Sequence, residues 1–414
     1  MKKIFFYALF FLTFQLSAQQ KEFAQKLIDT LCLPEFKGRG YVENGDRIAA
    51  DFIAKKLNEI GAKPFTKSYF QPFSINVNTF PAQMSLKIGD KQQTAGVDYL
   101  VHSSSCSLSG SYKIIVFNSK NHIKIQQYLG KDNQKLFVLL DTLGMNNKQE
   151  AEKLMQYKQN QLNAAGIIEV FDKNLTYIPS AIQNDFVSIQ LKRNNLPEKI
   201  KSLTIDVKNE FKTNYSTQNV AAFIQGEIDS FIVFSAHYDH LGKMGSEVYF
   251  AGANDNASGV AMVLNLASYF SEHKPKYSIA FLFFSAEELG ILGSAFYNQN
   301  PLFPLTKIKF LTNLDMVGSG EKGIKVVNAT VFQKEFQLLQ SINNQNNYLS
   351  QIGARTPAAN SDHYFFYQNK VPCFFIYTLG EYSEYHNIYD RSNKLPLNKY
   401  DELFNLIVKF TAGM

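Results

Sequence analysis

The feature that most constrains this chain is an alternation in its second half, in which apolar runs, polar loops and helix-like stretches succeed one another. The runs are Val220 to Ile224, Phe231 to Ala236, Ile279 to Ser285, Ile308 to Leu314 and Val371 to Tyr377. Most are continuously apolar rather than alternating, the pattern of strands covered on both faces. Helical periodicities lie between some of them. In residues 258–272, Val260, Val263, Leu264 and Ala267 fall on one stripe. Strands interleaved with helices predict an α/β fold, a three-layer α/β/α sandwich around a mostly parallel central sheet.

The first half reads differently. Over 44–61, Ile48, Ala49, Phe52, Ile53, Leu57 and Ile60 recur at helical spacing, with Gly61 placed as a C-terminal cap and Asn44 or Asp46 as the N-cap. Between about 80 and 210 short β-branched and aromatic runs take over, such as Ile114 to Phe117 and Leu136 to Leu140, and a polar helical stretch leads into Ala164-Ala165-Gly166-Ile167-Ile168. This segment holds few acidic or histidine clusters. A chain of 414 residues is too long for one compact core. The expected units are 19–80 with 210–414, carrying the chemistry, and a smaller inserted β-rich domain over 81–209.

At the start, Lys2 and Lys3 precede an apolar run from Ile4 to about Leu16, and Ser17-Ala18 and Gln19-Gln20 come next. A charged start, a short greasy stretch and a small-residue exit predict a signal peptide over 1–18, cleaved near Ala18, and an exported protein, periplasmic or secreted. The run is shorter than the ~20 residues a membrane span needs, and no later segment is long and apolar enough, so no stable membrane insertion is expected. The 42 basic and 36 acidic residues are interspersed, without the basic run that nucleic-acid binding would call for. Cys32, Cys106 and Cys373 are odd in number, and none sits in a CxxC pair, so free thiols are expected and a cysteine-based metal site is not.

Ligands in open α/β sheets bind beyond the carboxyl ends of the strands. The residues directly after each apolar run are therefore informative. His237-Tyr238-Asp239-His240 succeeds the run ending at Ala236, Glu287-Glu288 comes after Ser285-Ala286, Asp315 after Leu314, and a loop containing His386 after Tyr377. Asp255 lies in Gly252-Ala253-Asn254-Asp255-Asn256-Ala257-Ser258-Gly259, just before a helix. Each residue alone has an ordinary explanation as a cap or a turn. Together they place so much negative charge at one edge that cations are needed to offset the repulsion. Two imidazoles, three carboxylates and no thiolate suit a borderline divalent ion, zinc above all. Five ligands divide into two sets of three when one aspartate is shared, which leaves one of the adjacent glutamates free to take a proton from water.

These motifs, with Ser285-Ala286-Glu287-Glu288-Leu289-Gly290, Asn313-Leu314-Asp315-Met316-Val317-Gly318, Ser361-Asp362-His363 and His386-Asn387-Ile388-Tyr389-Asp390, resemble the M28 family of zinc aminopeptidases across roughly residues 215–395. Gly38-Arg39-Gly40 is similar to how such catalytic domains begin. The resemblance implies two zinc ions per chain and peptide substrates. It implies Asp255 as the bridging ligand, His237 and Asp315 on one ion, Glu288 and His386 on the other, and Glu287 as the general base. It further implies Asp239 as the carboxylate that orients a ligand histidine, and a cis peptide at Asp255-Asn256. The insert sits where many relatives carry a protease-associated domain. His240 and His363 flank the site without being expected ligands, and Asp362 is placed to support it. Other readings are a single-zinc glutaminyl cyclase, a carboxypeptidase or dipeptidase using Arg355 or Arg391 for a substrate carboxylate, and a non-catalytic binding protein on the same scaffold. Surface ion pairs are the plainer expectation for those two arginines.

Overall fold

The apolar runs form strands whose alternate side chains enter two different cores. Ile232, Phe234, Ala236, Ile279, Phe281 and Phe283 pack into one cluster, while Phe231, Val233, Ala280, Leu282 and Phe284 pack into another on the opposite face. That is why these runs show no polar alternation. The computed structural model describes residues 20–196 and 200–414, so the expected signal segment 1–18 lies outside the described residues.

The sheet has eight strands in the order Phe70–Thr79, Glu210–Ile224, Tyr277–Phe284, Ile228–His237, Ile308–Leu314, Cys373–Thr378, Ile324–Val327 and Ile352–Ala354. Its centre, from Tyr277–Phe284 to Cys373–Thr378, is parallel, and antiparallel pairs flank it on both sides. Helices Gly45–Ile60, Gly259–Glu272 and Tyr400–Ala412 cover the first face, and Leu292–Gln299 and His363–Gln368 supply Tyr297 and Phe366 to the second. The three-layer α/β architecture expected from the strand runs is therefore present. Three strands had no continuous apolar signal. Phe70–Thr79 alternates buried and exposed positions, Ile352–Ala354 has no buried residue, and both lie at the sheet's edges. Ile324–Val327 is only four residues long.

Helix Gly259–Glu272 departs from a one-stripe pattern, because every residue from Gly259 to Ala267 is buried. Over that stretch it is sandwiched between the sheet and the helices Gly45–Ile60 and Tyr400–Ala412, so no face is left to water until the last turn, where Ser271 and Glu272 are exposed.

Gly61 caps Gly45–Ile60 in a left-handed conformation, as its position predicted, but the N-terminus differs. Asn44 makes no side-chain cap, and Asp46 turns inward to accept hydrogen bonds from Tyr215 Oη at 2.7 Å and Thr217 Oγ1 at 2.8 Å. Burial pushes the Asp46 carboxyl up to about 6, against the lowering effect of those two donors. A folded-state value above the unfolded one means that ionisation weakens the fold, so this group's contribution declines as the pH rises through about 4 to 6. The stability of Asp46→Asn relative to the unsubstituted protein should therefore rise by about 2 kcal/mol between pH 4 and pH 7. Urea unfolding at the two pH values measures this, and a flat or falling difference contradicts it.

A second eight-stranded sheet is built between Ser85 and Val207, with Leu108–Phe117, Asn133–Leu140, Ala164–Phe171 and Val187–Lys192 running parallel at its centre. Its core is shared with the chemistry-bearing part, since Leu241, Met244, Val248 and Phe250 join Leu86, Phe137, Ile168 and Ile189 in one apolar cluster. Cys32, Cys106 and Cys373 are all free thiols. Among the described residues no helix is long and apolar enough to cross a membrane.

Candidate metal centre

The parallel register brings the site together. Ser235 pairs with Asn313 and His237 with Phe284, so two residues further on His237 stands level with Asp315, and Glu287-Glu288 come just beyond. Asp255 comes from the turn Ala253–Ser258 and His386 from the loop after Cys373–Thr378. All five expected ligands are buried, and they meet at this edge.

His237 Nε2 lies 3.3 Å from Asp255 Oδ1 and 3.4 Å from Asp315 Oδ1. His386 Nε2 lies 3.1 Å from Asp255 Oδ2 and 3.0 Å from Glu288 Oε2. Ligand atoms of His237, Asp255 and Asp315 lie within 4.8 Å of one another, and so do those of His240, Asp255 and Glu288. This donor set of imidazoles and carboxylates fits zinc. The peptide bond between Asp255 and Asn256 is cis.

Burial alone would depress the His237 imidazole, but Asp315, Glu287, Asp239 and Asp255 outweigh it and hold the ring well above its usual range. The same balance, with Glu288 and Asp255 as partners, lifts His386 to about 11. Glu287 is raised well above the carboxylate range by burial, with Glu288 and Asp315 adding to the rise and His237 opposing it. Charges so arranged are those of a site suited to cations.

One supporting role differs from expectation. The Asp239 carboxylate stands 3.8 Å from His237 Nδ1, beyond hydrogen-bond reach, while its backbone carbonyl lies at 3.2 Å. The backbone therefore fixes the His237 ring and leaves Nε2 facing the carboxylates. The Asp239 carboxylate instead accepts from Tyr41 Oη at 3.0 Å and from the Glu287 backbone N–H at 3.1 Å, so it holds the segment carrying Glu287. Asp315 is oriented by Ser361, whose Oγ donates to its Oδ2 at 2.8 Å. A chain of 2.8 Å bonds runs back from Ser361 through Asn313 to Ser235. Asp362 is buried nearby, its carboxyl pushed up to about 7 by burial and by Asp239 and Asp315, with His237 working the other way.

His240, placed outside the ligand set on sequence grounds, is fully buried with Nδ1 2.8 Å from Glu288 Oε1. Glu288 thus meets an imidazole at each oxygen. A Cβ at Gly252 would lie 2.4 Å from the His240 ring and 2.3 Å from the Asp255 carbonyl oxygen, so only glycine fits there. His363 packs in a tilted contact against Phe375, with ring centroids 5.3 Å apart. Tyr41, Ser361 and the contact of His240 with Glu288 carried no spacing signal. The signal for His240 was its place in the loop that holds His237.

Neither Arg355 nor Arg391 forms the surface ion pair expected of it among the described residues. Arg355 donates to Tyr377 Oη, and Arg391 donates to Tyr249 Oη and to the Ile388 carbonyl. The loop of His386 is also held from the second sheet's side, because the Tyr177 N–H donates to the His386 carbonyl at 2.8 Å. Tyr177 in turn stacks on Phe250 with ring centroids 4.9 Å apart.

The model of peptidase family M28 matches residues 219–411, which contain every residue of this ligand set. Residues 219–411 belong to peptidase family M28. Around this M28 domain, a "Probable zinc metalloprotease" of Pyricularia oryzae is 37% identical over 113 residues, 26% of this chain and 22% of that protein. A "probable leucine aminopeptidase 2" of Aspergillus oryzae is 32% identical over 118 residues, 28% of this chain and 22% of its own length. The chain thus spans only 22% of either relative's length. Among solved structures, a zinc aminopeptidase from Bacillus subtilis superposes with a TM-score of 0.68 at 18% identity, covering 94% of each chain. A peptidase M28 precursor from Shewanella amazonensis gives 0.71 at 16% identity, covering 97% of this chain and 95% of that one. At such identities the likeness establishes the shared fold of the M28 domain and its companion sheet.

Proposed function

We propose that the chain is an exported metallopeptidase that removes residues from the N-termini of peptides. In this reading His237, Asp255 and Asp315 hold one zinc ion, and Asp255, Glu288 and His386 hold a second. The observation that carries it is the Asp255 carboxylate, with one oxygen 3.3 Å from His237 Nε2 and the other 3.1 Å from His386 Nε2. A carboxylate reaching both ways is what two closely spaced ions require. Zinc bound there supplies Lewis acidity toward a carbonyl oxygen and lowers the pKa of a bound water.

The protein's own groups do the rest. Glu287 stands outside both ligand sets, with its backbone N–H tied to Asp239, and its carboxylate takes a proton from water and returns it to the leaving amine. With both ions held, a substrate's free α-amino group would enter this site as a neutral nitrogen donor rather than as an ammonium. Arg355 and Arg391 are spent on tyrosines, which disfavours recognition of a C-terminal carboxylate. The Lys2-Lys3 start and the apolar run after it support export. We assign 81–209 as a non-catalytic, protease-associated-like insert, supported by helix Lys148–Met155 leading into strand Ala164–Phe171.

Elemental analysis together with a panel of aminoacyl chromogenic substrates tests the proposal. Two zinc ions per chain are expected, with hydrolysis lost when the substrate's amine is acetylated. One tightly held ion with cyclisation of N-terminal glutamine and no amide hydrolysis would replace it with the cyclase reading.

A further inference from the structure

The loop that carries Asp255 is gripped by two buried ions of opposite charge that do not touch each other. Arg39 and Asp390 are both 0% exposed. Arg39 Nε donates to the Tyr238 carbonyl at 2.8 Å, Nη1 to Leu31 and Ala251 at 3.2 and 2.6 Å, and Nη2 to Gly252 and Asp255 at 2.8 and 3.3 Å. Every one of these acceptors is a backbone carbonyl. The Asp390 carboxylate accepts from the backbone N–H of Asn254 at 2.9 Å, from that of Asp255 at 3.1 Å, and from Tyr382 Oη at 2.9 Å. Asp255 is thus held at its own N–H by an anion and at its own carbonyl by a cation.

The backbone around Arg39 is built to deliver it. Lys37, Gly38 and Arg39 are all left-handed, with φ of 54°, 62° and 50°. A Cβ at Gly38 would lie 2.4 Å from the Gly242 carbonyl oxygen, and one at Gly40 would lie 2.4 Å from the Gly242 Cα. The two glycines let this segment lie directly against the loop after His237 and turn Arg39 inward. A buried charge without an opposite charge in contact is costly unless its hydrogen bonds are satisfied; here backbone carbonyls satisfy Arg39, and two backbone N–H groups with the Tyr382 hydroxyl satisfy Asp390.

We propose that Arg39 and Asp390 are positioning residues for the metal pair, a split ion pair that fixes the Asp255 backbone so that its carboxylate can face two ions. Arg39 extends the same hold to Tyr238, between His237 and Asp239, and so couples the two ligand-bearing loops. The inference rests on the two-zinc reading above. Groups that orient ligands typically change metal affinity by about 10–100-fold when altered.

The test is calorimetric titration of the metal-free full-length protein with zinc, for the unsubstituted chain, Arg39→Lys, Asp390→Asn and the double variant. Circular dichroism and metal-free melting serve as the check on folding. At least tenfold weaker zinc binding is expected in each single variant, with a shifted visible spectrum when cobalt replaces zinc. The double variant should be little worse than the weaker single one, since the two side chains hold one loop. Folded variants that bind zinc within threefold of the unsubstituted chain overturn the clamp and leave the two-zinc reading intact. An unsubstituted chain that takes up no zinc sinks the two-zinc reading itself. If neither variant folds, amide exchange in the unsubstituted protein decides, because Asn254 and Asp255 amides that exchange as freely as exposed ones exclude the clamp.

Discussion

Glu287→Gln should keep its full zinc content and turn over peptides about 10²–10⁴-fold more slowly, with KM little changed. The substitution keeps the size of the side chain and leaves the backbone N–H bond to Asp239 in place. It removes only the capacity to take a proton. Glu287 belongs to neither ligand grouping, so metal binding is spared. Steady-state kinetics alongside metal analysis decide the matter. A kcat within tenfold of the unsubstituted protein would exclude Glu287 as the base.

Removing the metal should lower the melting temperature by roughly 15 °C or more, the larger structural effect. Asp255, Glu288, Asp315 and Glu287 crowd one buried edge, and bound cations relieve their repulsion. Each site filled at a thousand times its Kd adds about 4 kcal/mol of stability, and each kcal/mol moves the melting point of a domain this size by about 2–4 °C. Scanning calorimetry with and without a chelator measures the shift. Asp255→Ala, which removes the ligand proposed to be shared, should melt near the chelated temperature and ignore the chelator. A chelator-insensitive unsubstituted protein would remove the metal from the account.

What the sequence made legible was whatever depends on a strand's surroundings. Runs such as Phe231 to Ala236 are apolar at every position because both faces are covered, and the residue after such a run is delivered to the carboxyl edge. His237 and Asp315 were readable for that reason, and Asp255 for its setting in a glycine-bounded turn. The contacts that escaped notice run through backbone groups. Arg39 bonds only carbonyls, the Asp239 carboxylate holds an N–H, and the ring of His237 is steered by a carbonyl. Any residue has such groups, so their use leaves no mark in composition or spacing. The edge strands Phe70–Thr79 and Ile352–Ala354 were hidden for a related reason. One side faces water, and their short or alternating patterns match those of ordinary loops.

The bond from the Tyr177 N–H to the His386 carbonyl has a consequence for how such a chain changes over generations. The two sheets cannot be exchanged like independent cassettes. A foreign insert spliced between residues 81 and 209 would have to bring its own donor for that carbonyl, along with a flat apolar surface for Phe250. Inheritance should therefore keep the segment around Tyr177 and the loop around His386 in step, so that a change of length in one selects for a matching change in the other.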